Sequence, residues 1–117
     1  MKTCLYISYM DLGSTGTLGI ENKVFGHIRT IEESGYISKY IIVKDNTLVS
    51  NLDIIPDNIV KDWSNDTTNR VNDLLLKIDL SGIDLAYVRF SYLNISSIKA
   101  FKKMKQQGVR IILEIPT

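Results

Sequence analysis

The sequence is short of several residue types, and each shortage excludes a class of protein. Its 117 residues include one cysteine and one histidine, too few for an internal disulfide or a His/Cys zinc site. No apolar run approaches the ~20 residues that a membrane-spanning helix needs, and the amino terminus has no signal-peptide cleavage pattern. The net charge of +1 gives no general attraction to nucleic acid. We therefore expect a cytoplasmic protein that binds neither metal nor nucleic acid, with Cys4 as a small core residue.

The apolar residues that are present change their spacing along the chain, which predicts alternating strands and helices. Four apolar runs predict buried strands: 3–8, 37–44, 84–90 and 109–115. Three stripes of helical spacing lie between them: 20–31, 71–78 and 98–104. Gly35 and Gly108 are expected to end the first and third helices, and Asn94 or Ser96 to cap the third. Residues 47–56 fit either a short strand or a loop, and 65–69 are expected to be a loop.

This alternation predicts a single domain over residues 1–117. The expected fold is a Rossmann-like open parallel α/β sheet of about four to five strands with helices on both faces. Pro116 and Thr117 directly follow the last apolar strand, so the sheet is expected to be incomplete at its C-terminal edge. An uncovered apolar edge indicates either a truncated chain or self-association through that strand.

The segment after the first strand is rich in glycine and hydroxyl side chains. Its candidate ligand-binding residues are Gly13, Ser14, Thr15, Gly16, Thr17 and Gly19. Glycines allow a ligand to approach the backbone, and the free N–H groups of the following helix favour an anion. A flexible turn without a ligand is the alternative. The segment lacks both the G-x-G-x-x-G fingerprint of dinucleotide-binding folds and the Gly-Lys-Ser/Thr of a P-loop.

Two charged residues end neighbouring predicted strands. Arg89 closes the strand 84–90, and Glu114 has the analogous place on the last strand. A buried guanidinium needs a carboxylate or phosphate partner. The pair, or Arg89 with Asp11, could be a structural ion pair, or it could face a ligand at the carboxyl ends of the strands, where open α/β sheets bind their ligands.

Three stretches resemble the amino-terminal domain of retaining glycosyltransferases of the GT-B architecture, of the kind that make bacterial capsular or surface polysaccharides. They are YISYMDLGSTGTLGIENKVFGHIRTIEESGY, DLAYVRFSY and FKKMKQQGVRIILEIPT. The family has a first strand, a glycine-rich loop and a helix ending in Leu/Ile-x-x-x-Gly-Tyr/His, matched here by Ile31 to Tyr36. The resemblance covers nearly the whole chain.

The resemblance implies a function for this segment of chain. It would be the acceptor-side part of an enzyme that transfers a sugar from a nucleotide-sugar donor to a glycan or lipid-linked glycan, without a cofactor. Gly13 to Gly19 would lie near the donor diphosphate and the acceptor, and Arg89 and Glu114 would line the cleft. The family's second domain, with its paired glutamates and most of the donor site, has no counterpart here. The chain alone is therefore expected to be inactive.

Two other classes of function stay open. Asp11 and the segment 51–57 resemble the phospho-acceptor region of a response-regulator receiver, although a second acid after the first strand and a final lysine are missing. A non-catalytic oligomerising module is the other. The basic cluster Lys99, Lys102, Lys103 and Lys105 is either a solvated helix face or a contact for anionic lipid or phosphate, which would place the protein peripherally at the inner face of the membrane.

Overall fold

The computed structural model describes residues 2–12, 18–44, 47–52, 67–90 and 94–114. Strands and helices alternate through these ranges as the apolar spacing predicts. In chain order the elements are β1 (Thr3–Leu12), α1 (Leu18–Glu33), β2 (Ile37–Lys44), β3 (Thr47–Ser50), α2 (Thr67–Lys77), β4 (Leu85–Arg89), α3 (Ile95–Gln106) and β5 (Arg110–Glu114).

The five strands form one sheet in the order β3-β2-β1-β4-β5. β1 pairs in parallel with β2 and β4, and β4 pairs in parallel with β5. This confirms the Rossmann-like fold class, with one departure, since β3 runs antiparallel to β2. The chain moves from β1 outward to β2 and later from β4 outward in the opposite direction. The topological switch point, where such sheets bind ligands, therefore lies between β1 and β4.

Helices cover both faces of the sheet, because alternate side chains of each strand point to opposite sides. Leu5, Ile7 and Tyr9 of β1 join the larger core, which includes the apolar residues of α2 and α3. Tyr6 points the other way and packs with Val24, Ile28 and Ile42 beneath α1. Among the described helices, α1 alone lies on this second face, where it contacts β1 and β2. Ile112 of β5, on the same face, stays nearly half exposed.

The predicted helix ends are confirmed where glycine or asparagine makes them. Gly35 and Gly108 follow α1 and α3 with φ of +92° and +86°, the left-handed conformation that glycine adopts without strain. Asn94 is the N-cap of α3, and its side-chain oxygen accepts a hydrogen bond from the backbone N–H of Ser97. In return, the Ser97 hydroxyl accepts a hydrogen bond from the backbone N–H of Asn94. This reciprocal capping box satisfies two N–H groups that the helix itself leaves free.

The structure corrects the expected loop at residues 65–69, since α2 already begins at Thr67. Polar side chains in this turn obscured the helical pattern, yet Thr68, Arg70 and Asn72 are all buried. Polar residues whose hydrogen bonds are satisfied can be buried in the core, although their side-chain types do not predict it. The ambiguous segment at 47–56 contributes the short strand β3, and β1 continues beyond the predicted Ser8 to Leu12.

Candidate functional site

The register of the sheet brings the two charged candidates side by side. Ser8 of β1 lies opposite Arg89 of β4, and Arg89 lies opposite Glu114 of β5. Two rows earlier, Tyr6 lies opposite Tyr87 on the same face of the sheet. Parallel strands present their carboxyl ends at one edge, so this row lies beside the switch point between β1 and β4. The predicted proximity of Arg89 and Glu114 is confirmed.

Arg89 and Glu114 form an ion pair at this edge. Nη1 of Arg89 lies 3.4 Å from Oε2 of Glu114. The arginine side chain is only 8% exposed, whereas the glutamate side chain keeps 21% exposure. The structural ion pair considered from the sequence is therefore present. Its carboxylate is still reachable from solvent, which leaves the oxygens able to accept a hydrogen bond from a ligand.

One histidine and two tyrosines surround this carboxylate. Nδ1 of His27, on α1, lies 3.6 Å from Oε2 of Glu114 and 3.3 Å from the hydroxyl of Tyr6. The rings of Tyr6 and Tyr87 stack at 5.6 Å between centroids, and the His27 ring meets both edgewise. We call Tyr6, His27, Tyr87, Arg89 and Glu114 the rim cluster.

The rim cluster keeps its phenols neutral. Burial raises the pKa of Tyr6 far above its ordinary value, with Arg89 opposing the shift and Glu114 adding to it. Burial raises the pKa of Tyr87, and the neighbouring Glu114 carboxylate raises it further, while Arg89 opposes the shift. A carboxylate beside neutral phenols, an imidazole and a guanidinium supplies both donors and acceptors within one small area.

These shifts predict a loss of stability at alkaline pH. Burial raises the pKa of both Tyr6 and Tyr9, so the unfolded chain releases their phenolic protons at lower pH than the folded protein does. Their contribution is complete below the unfolded pKa of ~10 and declines as the pH rises towards the folded values. Urea unfolding measured from about pH 8 to about pH 11 should show this decline. It should be shallower in Tyr6→Phe and Tyr9→Phe variants; an unchanged slope in both would contradict it.

A small hollow opens beside the rim cluster, between α1 and β4. It has a volume of about 190 Å³ and is lined by His27, Thr30, Ile31 and Tyr87. Pockets for drug-sized ligands start near ~300 Å³, so this hollow admits at most one ring-sized group. Such a group would lie against the Tyr87 ring and Ile31, with the His27 imidazole at its border.

The other sequence-predicted site residues are placed only in part. Gly13, Ser14, Thr15, Gly16 and Thr17 lie outside the described residues, and so does the side chain of Asp11. Gly19 lies in the first turn of α1. The buried hydroxyl of Ser8, opposite Arg89, has no hydrogen-bond partner in the part of the chain that the structure describes. The convergence of the glycine-rich segment on the rim cluster therefore stays a prediction.

His27, Tyr6 and Tyr87 are the rim-cluster residues that the sequence analysis did not select. His27 is three residues after Val24 and four before Ile31, so it shares the sheet-facing stripe of α1. That spacing was a usable signal for His27. Tyr6 and Tyr87 come from different strands, and only the register of β1 with β4 makes them neighbours.

We found no known protein similar to this chain. A scan against protein-family models, a search of curated proteins and a search of solved structures each return no match to the chain. Within the described ranges, no helix combines the length and apolar character needed to cross a membrane. No group of three His, Cys, Asp or Glu side chains in those ranges is arranged to hold a metal ion. The fold and the rim cluster thus define an open α/β domain with a polar, aromatic site at its switch point.

Proposed function

We propose that this domain is the acceptor-side part of a glycosyltransferase that moves a sugar from a nucleotide-sugar donor to a glycan or lipid-linked glycan. The observation that supports it most is the rim cluster beside the switch point. There Glu114 presents a partly exposed carboxylate, held by Arg89, next to the aromatic ring of Tyr87. The strand β1, which the glycine-rich segment follows in the sequence, ends at Leu12 on the same side of the sheet.

A sugar suits the chemistry of this site. A pyranose ring has apolar C–H faces and a border of hydroxyl groups, so it pairs with an aromatic surface flanked by polar groups. The hollow offers the Tyr87 ring and Ile31 for the C–H face. His27 lies at its border, and Glu114 lies 3.6 Å from the His27 Nδ1, so both side chains can exchange hydrogen bonds with hydroxyls of a bound sugar. The hollow's small volume suits one terminal residue of a glycan better than a nucleotide.

The donor belongs to another part of such an enzyme. By the resemblance in the sequence, most of the nucleotide-sugar site lies on a second α/β domain, and transfer requires both domains to close around the two substrates. We therefore expect the isolated chain to bind acceptor-type glycans weakly and to transfer no sugar.

The residues at the strand ends favour this proposal over a receiver domain. The parallel strands lie in the order β2-β1-β4-β5, which both common doubly wound orders contain, so the strand order itself does not separate the two. A receiver needs its phospho-acceptor aspartate at the end of a central parallel strand. Here the central strand β4 ends at Arg89, and β3, the strand before Asp53, is antiparallel and lies at the sheet edge. A non-catalytic oligomerising module would instead use the edge strand β5, whose Ile112 and Leu113 are nearly half exposed.

Binding of saccharides, followed by two-dimensional amide NMR, tests the proposal. We expect a panel of glucose-, galactose- and rhamnose-containing oligosaccharides to include ligands that shift the amide signals of His27, Tyr87 and Glu114. A Tyr87→Leu variant should bind such a ligand about tenfold more weakly, because it loses a stacking surface worth about 1.4 kcal/mol. Nucleoside diphosphates should give smaller shifts than the saccharides do.

Tyr36→Leu provides the matched control for that variant. Tyr36 is a partly exposed tyrosine that precedes β2, at the amino end of the parallel strands. The control should bind the saccharide as the unchanged protein does. Absence of any saccharide response, or shifts confined to the amino ends of the strands, would reject the acceptor site.

A further inference from the structure

The carboxyl-terminal part of the chain has a charge bias that the whole chain does not share. The protein has 14 basic and 13 acidic side chains, yet residues 94–113 contain no aspartate or glutamate. Five basic residues lie in that stretch: Lys99, Lys102, Lys103, Lys105 and Arg110. The bias follows α3 and β5, which pack against each other at the outer end of the sheet.

Lys103 differs from its neighbours because it has a structural role. Its Nζ donates a hydrogen bond of 2.6 Å to the backbone oxygen of Leu75 and another to that of Ile78. A cation is favoured there by the free carbonyls at the carboxyl end of α2. Burial lowers the pKa of Lys103, and Asp79 partly offsets that effect. Lys99, Lys102 and Lys105 are exposed instead.

Aliphatic side chains are exposed beside these three lysines. Ile95 is 74% exposed and Ile98 is 54% exposed, and both lie on the helix stripe that continues through Lys99 and Lys102. Leu113 of β5 is nearly half exposed across a groove of about 310 Å³. Ile98, Phe101, Ile111 and Leu113 line this groove, together with Lys102 and Lys105.

We propose that this surface docks the protein on an anionic lipid bilayer. The docking face consists of Ile95, Ile98, Lys99, Lys102, Lys105 and Leu113. Its aliphatic side chains enter the boundary between headgroups and acyl chains, while the lysine stems lie along that boundary and their ammonium groups meet lipid phosphates. The phosphates of an anionic bilayer carry the charge opposite to that of residues 94–113, which contain basic but no acidic side chains.

The composition of the docking face distinguishes a bilayer from a macromolecular partner. The central contacts of protein interfaces are enriched in arginine and aromatic residues and poor in lysine. Single-stranded nucleic acid binds where aromatic rings are exposed for stacking. The docking face has lysines and aliphatic residues, and Phe101, the aromatic residue that lines the groove in the described part of the chain, is partly buried against the core.

Docking does not depend on the proposed sugar site. Ile111 and Leu113 line the groove beside α3, whereas Glu114 contacts His27 of α1 on the other face of the sheet. The two sites therefore share the strand β5 but not its side chains. Loss of sugar binding in a Tyr87 variant would leave lipid binding intact, and loss of lipid binding in a lysine variant would leave sugar binding intact.

Flotation with lipid vesicles tests the docking face. We expect the chain to float with vesicles of phosphatidylcholine containing one part in about three of phosphatidylglycerol, and not with phosphatidylcholine alone. Raising the salt to ~1 M should release it, because the Debye length shrinks to ~3 Å. A Lys99→Gln/Lys102→Gln variant should bind about 25-fold more weakly, at about fivefold per lysine. Ile98→Gln should bind at least about tenfold more weakly.

A Lys23→Gln/Arg29→Gln variant is the charge-matched control, since both residues are exposed on α1, away from the docking face. It should bind anionic vesicles as the unchanged protein does. Equal binding to both vesicle types, or equal loss in the control, would overturn the proposal. So would a doubled mass in light scattering that Ile98→Lys returns to that of one chain, because a second copy would then cover this face.

Discussion

Replacing Asn72 with valine is expected to lower the free energy of unfolding by about 2 to 4 kcal/mol. Asn72 is fully buried on α2 and links three elements of the fold. Its Oδ1 accepts a hydrogen bond of 2.7 Å from the hydroxyl of Tyr9, and its Nδ2 donates one of 3.0 Å to Ser97. Valine fills similar space but leaves the buried Tyr9 hydroxyl without an acceptor, which costs more than the lost bond alone.

A double-mutant cycle with Tyr9→Phe separates the hydrogen bond from packing. We expect the double variant to be more stable than the sum of the two single effects predicts, by about 1 to 2 kcal/mol, because neither buried partner then lacks its bond. Asp73→Ala, an exposed change on the same helix, should stay within about 0.5 kcal/mol of the unchanged protein. Denaturant unfolding measures the four proteins of the cycle and the Asp73→Ala control, and strict additivity would disprove the role of the pair.

The Asn72 network also bears on the site. The Nδ2 of Asn72 lies 3.4 Å from Oδ1 of Asn94, the N-cap of α3. The side-chain Nδ2 of Asn94 in turn donates a hydrogen bond to Oδ1 of Asn69 on α2. α2 therefore holds the first turn of α3, which follows the carboxyl end of β4 in the chain. The Asn72→Val variant should accordingly change the amide signals at the start of α3 more than it changes those of β2.

Replacing Glu114 with alanine is expected to lower the free energy of unfolding by about 2 to 3 kcal/mol. The Arg89 guanidinium loses its carboxylate partner while its side chain stays only 8% exposed. Breaking a fully buried ion pair lowers the free energy of unfolding by more than this. The expected loss is smaller here because the glutamate side chain is 21% exposed, so solvent already weakens the pair. Denaturant unfolding measures the change. The pKa of Tyr87 should fall towards its ordinary value in the same variant, because Glu114 raises it.

An Arg89→Met/Glu114→Leu double variant is the control for charge. Removing both members of the pair leaves no unpaired charge, so this protein should be more stable than Glu114→Ala. If Glu114→Ala has the same free energy of unfolding as the unchanged protein, the ion pair does not stabilise Arg89. That result would contradict the role given to Glu114 in the rim cluster. Saccharide binding by the double variant should be lost even where its stability is retained.

Local sequence predicted the elements wherever one periodicity was continuous. The run 37–44 coincides with β2, and Gly35, Asn94 and Gly108 mark helix ends, because backbone conformation and capping depend on a few adjacent residues. The start of α2 was not predicted, since the burial of Thr68 and Arg70 comes from packing rather than from their own preference. The direction of β3 also depends on its partner strand.

The sequence by itself determined the alternation of strands and helices and the placing of Arg89 and Glu114 at the ends of two strands. Tertiary structure alone decided the register that pairs Arg89 with Glu114, the stacking of Tyr6 on Tyr87, and the contact of His27 with Glu114. The reason is physical. Periodicity arises from contacts within one element, whereas the rim cluster joins residues of four elements whose register is set by how α1 and the crossover connections pack on the sheet.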